Sequence, residues 1–352
     1  MTDFPTFFAK SHTYQEAWDE ITEKLKSVPA GETVLVVDAD GLVFRTASAS
    51  DTRSILVNKK GFTKFKQYNT RTEFKEYCKE KGFEYADFEI QDQRDAEDVS
   101  FCLGTLKRTI KNLKEKFNTE HLIFFIGGVG NFRLTLPLPV QYKSNRIGMS
   151  KPTHLQACRE YLLKWYDTYM IDGCESDDLV VGVTQYITHQ TDKKCVAWNI
   201  DKDFTQSLLP VSYYHPVDGV VYDIEGGLGE LHEHGKGVKG SGLKWLIGQL
   251  LLGDKIDSYC PKQFFRKRYG ERAFYKDFKD LTTEKEVLER WVEVWRKLVG
   301  ETITFTDYTG VIRNHSWLSL AELYFLCCYM RTSPIDDMTF KKLLNQYGVT
   351  YD

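Results

Sequence analysis

The sequence predicts an α/β fold, with a mainly parallel central sheet, flanking helices and a helical C-terminal region. Short apolar runs bounded by turn residues are typical of buried parallel strands, and three occur, over 34–37, 122–126 and 195–200. Helical patterns with 3.6-residue spacing lie between these runs, over 99–117 and 155–169. Strands and helices that alternate along a chain favour an α/β domain.

The character of the chain changes after the glycine-rich segment 226–242. Before this segment, Asp218-Gly219 between alternating runs predicts a hairpin at the edge of the sheet. After it, the patterns are mainly helical, over 243–252, 284–299, 318–330 and 340–347. We therefore predict two domains, 1–235 and 236–352.

Composition excludes several classes of protein. The 352 residues, 42% of them hydrophobic, are enough for a substantial core. The chain has no run of eighteen apolar residues and no signal peptide pattern at its start, so we expect a cytoplasmic protein without a membrane span. Eight scattered cysteines without a CxxC pair predict buried free thiols, and His232 and His234 have no obvious third zinc ligand.

Charge is unevenly distributed although the net charge is only −3. Basic residues cluster in 58–66, 142–146 and 262–268, whereas acids collect in the segments CESDD, NIDKDF and GDKID. A protein that binds a polyanion and holds divalent cations would show this pattern. Soluble enzymes with solvated charged faces would show it as well.

Aspartates follow two of the predicted strands. Asp38 and Asp40 come after the first strand, and Asp201 and Asp203 after the third. Ligands bind at the carboxyl ends of the strands in an open α/β sheet. These two groups should therefore converge.

Two more acidic groups accompany helices. Glu175 and Asp178 stand one turn apart at the start of a helix, where they suit a shared cation, although Ser176 as a cap and the helix dipole would also explain acids there. Asp254 and Asp257 follow a helix, where acids oppose the dipole, so capping explains them less well.

Many carboxylates in one cleft are unfavourable unless cations neutralise them. Ligands that are all oxygen indicate Mg²⁺ or Mn²⁺ rather than zinc. Two such ions roughly 4 Å apart can activate a water and stabilise the leaving oxygen of a phosphodiester. The acidic groups therefore indicate nuclease chemistry.

One alternative starts from the stretch VVDADG, which resembles the nucleophile motif of the haloacid dehalogenase-type phosphatases. Asp38 would then attack phosphate, Asp40 would act as general acid, and GDKID would correspond to a late metal-binding motif. This interpretation leaves the segments YKSNR, ESDD and DKDF without a role.

Six motifs, taken in order, resemble the bacteriophage-type 5′-to-3′ exonucleases and flap endonucleases: VVDADGLVFR, GNFR (130–133), YKSNR (142–146), GCESDD (173–178), NIDKDF (199–204) and LKWLIGQLLLGDKIDSY (243–259). The resemblance covers roughly residues 33–260. It implies a PIN-like nuclease core with an arch or clamp, which cuts DNA carrying 5′ ends or flaps and releases 5′-phosphates. It also implies a role in replication, recombination or DNA degradation, in a host-cell cytoplasm if a phage encodes the protein.

The resemblance implies eight ligands for two Mg²⁺ or Mn²⁺ ions: Asp38, Glu175, Asp177, Asp178, Asp201, Asp203, Asp254 and Asp257. By the same resemblance, Lys143 and Arg146 contact the scissile phosphate, and Arg133 and Tyr142 bind nucleic acid. Fixed cations can offset charge on an attacked phosphate, and an aromatic ring can stack on an unpaired base. A solvated basic turn is the alternative interpretation of Lys143 and Arg146.

The sequence departs from the family pattern in two places. Gly128 stands near a position where many members carry another aspartate, and the segment after Asp257 lacks the glycines of the family's duplex-gripping hairpin. The second departure argues against a bound monovalent ion. It leaves duplex binding to four basic residues, which could equally form the solvated face of a helix: Lys262, Arg266, Lys267 and Arg268.

The Gly128 departure also raises a third hypothesis, a branched-DNA binding protein that has lost its activity. The intact ESDD and DKDF segments count against this hypothesis. We expect a monomer that acts on DNA, with RNA–DNA hybrids as an alternative substrate. A replication polymerase or a single-strand-binding protein is the expected kind of protein partner.

Overall fold

The computed structural model of the protein describes residues 11–235 and 237–351, which form two compact units. The first unit contains the described residues up to Gly41, those of 114–149 and those from Trp165 onward. The second unit contains 42–113 and 150–164. The predicted division between residues 235 and 236 falls inside the first unit. This division remains a prediction about functional regions. It does not coincide with the boundary between the two compact units.

The helices of these residues are, in chain order, α1 (Tyr14–Leu25), α2 (Ala39–Ala49), α3 (Arg71–Lys81), α4 (Val99–Phe117), α5 (Leu155–Trp165), α6 (Ser176–Gln190), α7 (Gly242–Leu252), α8 (Glu271–Phe278), α9 (Glu284–Val299), α10 (Trp317–Cys328) and α11 (Phe340–Gln346). The strands are β1 (Ser11–His12), β2 (Thr33–Asp38), β3 (Asp51–Lys59), β4 (Lys66–Tyr68), β5 (Phe88–Ala96), β6 (His121–Gly127), β7 (Thr168–Ile171), β8 (Lys194–Trp198), β9 (Val211–His215), β10 (Val220–Ile224), β11 (Leu231–His234), β12 (Gly237–Gly240), β13 (Thr302–Thr306) and β14 (Ile312–Ser316).

The first unit is built on a seven-stranded sheet in the order β1-β7-β6-β2-β8-β9-β10. All neighbouring pairs are parallel except β9 and β10, which form the predicted antiparallel hairpin at the edge. Strand β2 is central, and its residues 34–37 are fully buried because helices cover both faces of a parallel sheet. The predicted α/β fold with a mainly parallel sheet is confirmed.

The predicted helix over 155–169 ends earlier than expected. Helix α5 stops at Trp165, and β7 follows it, with Tyr169 and Ile171 buried in the alternating pattern of a strand. Four residues are too few to separate an alternating pattern from a helical one in the sequence.

The C-terminal part of the first unit is mainly helical, as predicted, and α9 has the predicted bounds. Its core centres on α7, which is buried along its whole length, and on the stacked rings of Trp291 and Trp295, whose centroids are 4.9 Å apart. The hairpin of β13 and β14 was not predicted. The eight cysteines are free, and all except Cys260 are buried.

The second unit contains a three-stranded antiparallel sheet in the order β4-β3-β5, with α3 packed against it. Ile55 and Val57 of β3 form its small core with Phe74 and Cys78 of α3. The sequence analysis did not predict this sheet. Among the residues described in both units, no helix combines the length and the apolar character needed to cross a membrane.

Candidate active site

The site starts at the carboxyl end of the central strand. Asp38 is the last residue of β2 and only 7% exposed, and its carboxylate accepts hydrogen bonds from the backbone nitrogen of Gly41, at 3.2 and 3.3 Å. A Cβ atom on Gly41 would lie 2.5 Å from Asp38 Oδ2, so only glycine allows this approach. The turn from β2 into α2 therefore fixes the first carboxylate of the site.

Three carboxylates from different elements interact here: Asp38 of β2, Asp177 of α6 and Asp201 after β8. Burial, the charge of Asp40 and that of Asp201 raise the pKa of Asp38 to about 7. Burial raises the pKa of Asp177 far above its usual value, and the charges of Asp38 and Asp201 add to this effect. The strand ends thus bring these acids together, as their positions in the sequence predict.

These three carboxylates also lack a basic partner. Within residues 11–235 and 237–351, none of them forms an ion pair with lysine, arginine or histidine, and the buried Asp177 Oδ1 accepts no hydrogen bond. In the same part of the chain, no group of three His, Cys, Asp or Glu side chains has the arrangement of a metal-binding cluster. The unsatisfied carboxylate oxygens nevertheless fit Mg²⁺ or Mn²⁺, which prefer oxygen ligands.

Asp178 has a different role from the predicted one. It is fully buried, and its two oxygens accept hydrogen bonds from the guanidinium of Arg133 at 2.7 and 2.8 Å. The backbone nitrogens of Glu175 and Arg331 also donate to it. Both oxygens are occupied, so the geometry contradicts the prediction that Asp178 is a direct metal ligand.

Arg133 is likewise a structural residue rather than a nucleic-acid contact. It is 2% exposed, and it also donates hydrogen bonds to the backbone oxygens of Leu326 and Tyr329. The Arg133–Asp178 pair therefore ties the start of α6 to the end of α10. DNA in solvent has no access to this guanidinium, so the predicted contact is wrong.

Tyr142 is buried as well, which corrects the prediction that its ring stacks on a base. Its ring stacks on Tyr259, and its hydroxyl donates to Asp257 Oδ2 at 2.9 Å. The same hydroxyl lies 3.3 Å from Glu175 Oε2. Tyr142 thus holds two acids of different motifs next to each other.

Lys143 and Arg146 lie beside these two acids. The Lys143 ammonium pairs with Glu175 and lies 3.7 Å from Asp257 Oδ1, and its side chain is only 17% exposed. Arg146 Nη2 lies 3.1 Å from Asp257 Oδ1, but half of its side chain is exposed. Lys143 is therefore not part of a solvated turn, whereas Arg146 can still reach a ligand in solvent.

The remaining predicted ligands are satisfied by protein groups. Asp203 Oδ1 accepts a hydrogen bond from Gln249 at 2.6 Å, while burial and the charge of Asp201 raise the pKa of Asp203 to about 8. Asp254 Oδ2 pairs with the ammonium of Lys202 at 2.6 Å. The sequence analysis missed Lys202, although it stands between two predicted ligands in the segment DKD.

Asp172 was not predicted as a member of the site, and Asp40 was predicted to lie near it but not as a metal ligand. Asp40 Oδ2 accepts hydrogen bonds from the backbone of Gly127 at 2.6 Å and from Ser176 at 3.4 Å, so Ser176 is not the cap of α6. Asp172 Oδ1 accepts a hydrogen bond from Val129 N at 2.8 Å. Asp40 thus orders the end of β6, and Asp172 orders the residues that follow it.

The four basic residues predicted to bind duplex DNA do not form a helix face. Lys262 lies in a short 3₁₀ turn, Pro261–Phe264, and the other three follow it in an irregular segment before α8. Arg266, Lys267 and Arg268 are exposed, and Lys262 is half-buried. A role in duplex binding remains a prediction for them.

The Arg133–Asp178 pair makes the first testable prediction. Arg133→Met should lower the free energy of unfolding by about 3–5 kcal/mol, because it leaves a buried carboxylate unpaired. Urea denaturation measures this loss. As a control, Lys24→Met breaks the half-exposed pair with Asp167 and should cost less than about 1 kcal/mol. Equal losses for the two variants would contradict the assignment.

The raised pKa values of Asp38 and Asp203 predict a pH dependence of stability. The folded protein holds protons that the unfolded chain releases near pH 4, so this stabilisation is complete below that pH and lost as pH rises to 7–8. In EDTA, the free energy of unfolding should therefore fall between pH 5 and 8, by at most about 1.4 kcal/mol per group and pH unit.

Asp38→Asn cannot ionise at this position, so its loss of stability with pH should be smaller than that of the wild type. Asp95→Asn, at an exposed position of β5, should leave the slope unchanged. Chemical denaturation at several pH values measures the slopes. A wild-type protein whose stability rises from pH 5 to 8 would rule out the proposed crowding of carboxylates.

Gly128 makes a third prediction. A Cβ atom there would overlap Asp172 Oδ1 and lie 2.8 Å from the backbone oxygen of Ile171. Gly128→Ala and Gly128→Asp should therefore both destabilise the protein by about 1–3 kcal/mol, and the second should not improve Mg²⁺ binding. Thermal unfolding and calorimetry test this, with Gly104→Ala in α4 as the control because nothing lies near its Cβ position.

The sequence matches no protein-family model and no curated protein. Among solved structures, the chain is similar to a mutant of the T5 5′-exonuclease, with 16% identity over 70% of this chain and 71% of that chain and a TM-score of 0.41. It is also similar to the bacteriophage T5 flap endonuclease in a complex with DNA and metal ions, with 14% identity, coverage of 73% and 78%, and a TM-score of 0.43.

A third similar structure is the T5 5′-exonuclease with bound zinc, with 17% identity, coverage of 74% and 80%, and a TM-score of 0.44. The names of these proteins are those of the family that the sequence motifs resemble.

Proposed function

We propose that the protein is a divalent-metal-dependent nuclease that hydrolyses phosphodiester bonds of DNA and leaves 5′-phosphates, as a 5′-to-3′ exonuclease and flap endonuclease. The observation that supports this most is the group of Asp38, Asp177 and Asp201. The charge of Asp201 raises the pKa of both Asp38 and Asp177, and none of the three carboxylates has an ion pair with a basic side chain in the described part of the chain. A bound divalent cation would offset this repulsion at neutral pH.

Asp38, Asp177 and Asp201 would hold Mg²⁺ or Mn²⁺, and we propose two ions. When bound, these ions would lower the pKa of a water molecule and offset the negative charge of the phosphodiester. Asp40 contributes through its charge, which acts on Asp38. Asp203, which accepts a hydrogen bond from Gln249 and interacts with the charge of Asp201, would add a further carboxylate to the group.

Lys143 and Arg146 are the proposed phosphate contacts. The ammonium of Lys143 is positioned by Glu175 and Asp257, and Arg146 by Asp257. Fixed cations of this kind can stabilise the charge that develops on a phosphate in the transition state. Glu175 and Asp257 are thus positioning residues, although Glu175 remains close enough to Asp177 to raise its pKa.

Asp178 and Asp254 have positioning roles in this proposal. Asp178 anchors the start of α6, which carries Asp177. Asp254 pairs with Lys202 and also accepts a hydrogen bond from Ile256 N at 2.6 Å, which shapes the turn that carries Asp257. Each keeps a neighbouring functional side chain in place.

The phosphatase alternative is less well supported. It gives no role to Lys143 or to Asp177 and Asp201, whose carboxylates interact with that of Asp38. Asp40 accepts two hydrogen bonds, whereas a general acid must donate one. The degenerate DNA-binding alternative does not explain why three mutually repelling carboxylates lack basic partners.

Phosphate contacts should dominate the affinity for DNA, so binding should weaken with salt and depend little on base sequence. Lys262, Arg266, Lys267 and Arg268 are the proposed duplex contacts, and their position in an exposed irregular segment supports this role. RNA–DNA hybrids, a polymerase and a single-strand-binding protein remain candidate substrates and partners.

A cleavage assay tests the proposal. The protein is incubated with a labelled 5′-flap duplex and, separately, with a small phosphate monoester, in Mg²⁺ or in EDTA. We expect flap cleavage in Mg²⁺ only, and a decrease in rate on the order of 10²-fold or more for Asp177→Asn and for Lys143→Ala, because each removes charge stabilisation at the site.

Asp95→Asn, an exposed change outside the site, should cleave like the wild type. Calorimetry adds a second measurement, because Asp177→Asn should also weaken Mg²⁺ binding whereas Lys143→Ala should not. Turnover of the monoester alone would support the phosphatase, and binding of the flap without cleavage would support the degenerate protein. Either result would overturn the proposed function.

A further inference from the structure

We infer that the β3–β4 loop, residues 59–66 of the second unit, binds single-stranded nucleic acid through exposed phenyl rings and lysines. This inference rests on the proposed function in one respect, namely that the bound strand would belong to the nuclease's substrate. The binding itself requires neither metal nor cleavage. It can therefore be tested separately from the reaction.

The loop lies in the most basic stretch of the chain. Residues 52–72 contain no aspartate or glutamate but six cationic side chains: Arg53, Lys59, Lys60, Lys64, Lys66 and Arg71. This local excess contrasts with a net charge of −3 for the whole protein. All loop residues are exposed. A polyanion is the ligand that fits such a surface.

Two aromatic rings stand among these lysines. Phe62 is 64% exposed and Phe65 is 43% exposed, although the unit has a core of its own that contains Tyr68 and Phe74. Exposed phenyl rings next to cations are the elements that bind single strands, since each base stacks its face on a ring while the lysines contact phosphates. In a duplex these base faces are covered by neighbouring base pairs.

Several contacts hold the loop in place. Lys60 N donates to Asp87 O at 3.0 Å, the Asn58 side chain donates to Phe62 O, and Gly61 adopts a left-handed conformation with φ of +86°. The Lys66 ammonium lies over the rings of two tyrosines of the unit. A loop that is already ordered loses less entropy when it binds a ligand.

The lysines at the tip remain available for a ligand. Lys59, Lys60 and Lys64 form no ion pair with any residue of 11–235 or 237–351. The two phenylalanines are separated along the chain by Thr63 and Lys64. Alternating rings and charges match the alternating bases and phosphates of a strand better than they match a lipid surface.

Fluorescence anisotropy with a labelled oligothymidylate in EDTA tests this inference. Phe62→Ala with Phe65→Ala should weaken binding at least about tenfold and leave the salt dependence unchanged. Replacing Lys59, Lys60 and Lys64 by glutamine should weaken binding and reduce the slope of log K against log salt by about 2, since each phosphate contact on a single strand contributes about 0.7.

Matched control variants carry the same changes elsewhere in the unit, at the exposed positions Phe101, Lys79, Lys81 and Lys107. These controls should bind like the wild type, and circular dichroism should show that all variants are folded. Wild-type affinity in the loop variants would overturn the inference.

The same loop variants are also tested for binding to phosphatidylserine vesicles. If they lost binding to the vesicles but kept binding to the oligonucleotide, this result would overturn the inference as well. If Asp177→Asn bound the strand but wild-type protein failed to cleave DNA in Mg²⁺, only the proposed function would fail.

Discussion

Mutual repulsion between carboxylates at the carboxyl end of the parallel sheet is the constraint on which the site depends. The chain neutralises some of these acids with its own cations, since Arg133 pairs with Asp178, Lys143 with Glu175 and Lys202 with Asp254. It leaves Asp38, Asp177 and Asp201 without such a partner in the described residues. The distribution of internal cations thus determines where an external one is needed.

This distribution could not be predicted from the sequence. The motifs contain most acids of the site, and the strand ends predict that Asp38 lies near Asp201, whose charge acts on it. Which acid is a candidate ligand and which is anchored depends on partners far along the chain, since Arg133 and Asp178 are 45 residues apart. Predicted nucleic-acid contacts failed for the same reason, because burial of Arg133 and Tyr142 is decided by tertiary packing.

Secondary structure was predictable where the signal is local and strong. Strands β2, β6 and β8 are apolar runs, and α9 is bounded by Thr283 as its cap and by Gly300, which adopts a positive φ of 79°. The antiparallel sheet of the second unit was not predicted. Most residues of β5 are polar and none is buried, so its pairing with β3 reflects backbone hydrogen bonds rather than a pattern of buried side chains.

Each acid pairs with either arginine or lysine, and this choice fits the role of the acid. Arg133 holds Asp178 through a planar, bidentate and fully buried contact, which fixes α6 permanently. Lysine is a flexible point charge, so Lys143 and Lys202 can turn away from their carboxylates without breaking the fold. Half of the Lys202 side chain is exposed. In the proposed nuclease, Lys143 and Lys202 would therefore be able to reach a bound phosphate, whereas the buried guanidinium of Arg133 would not.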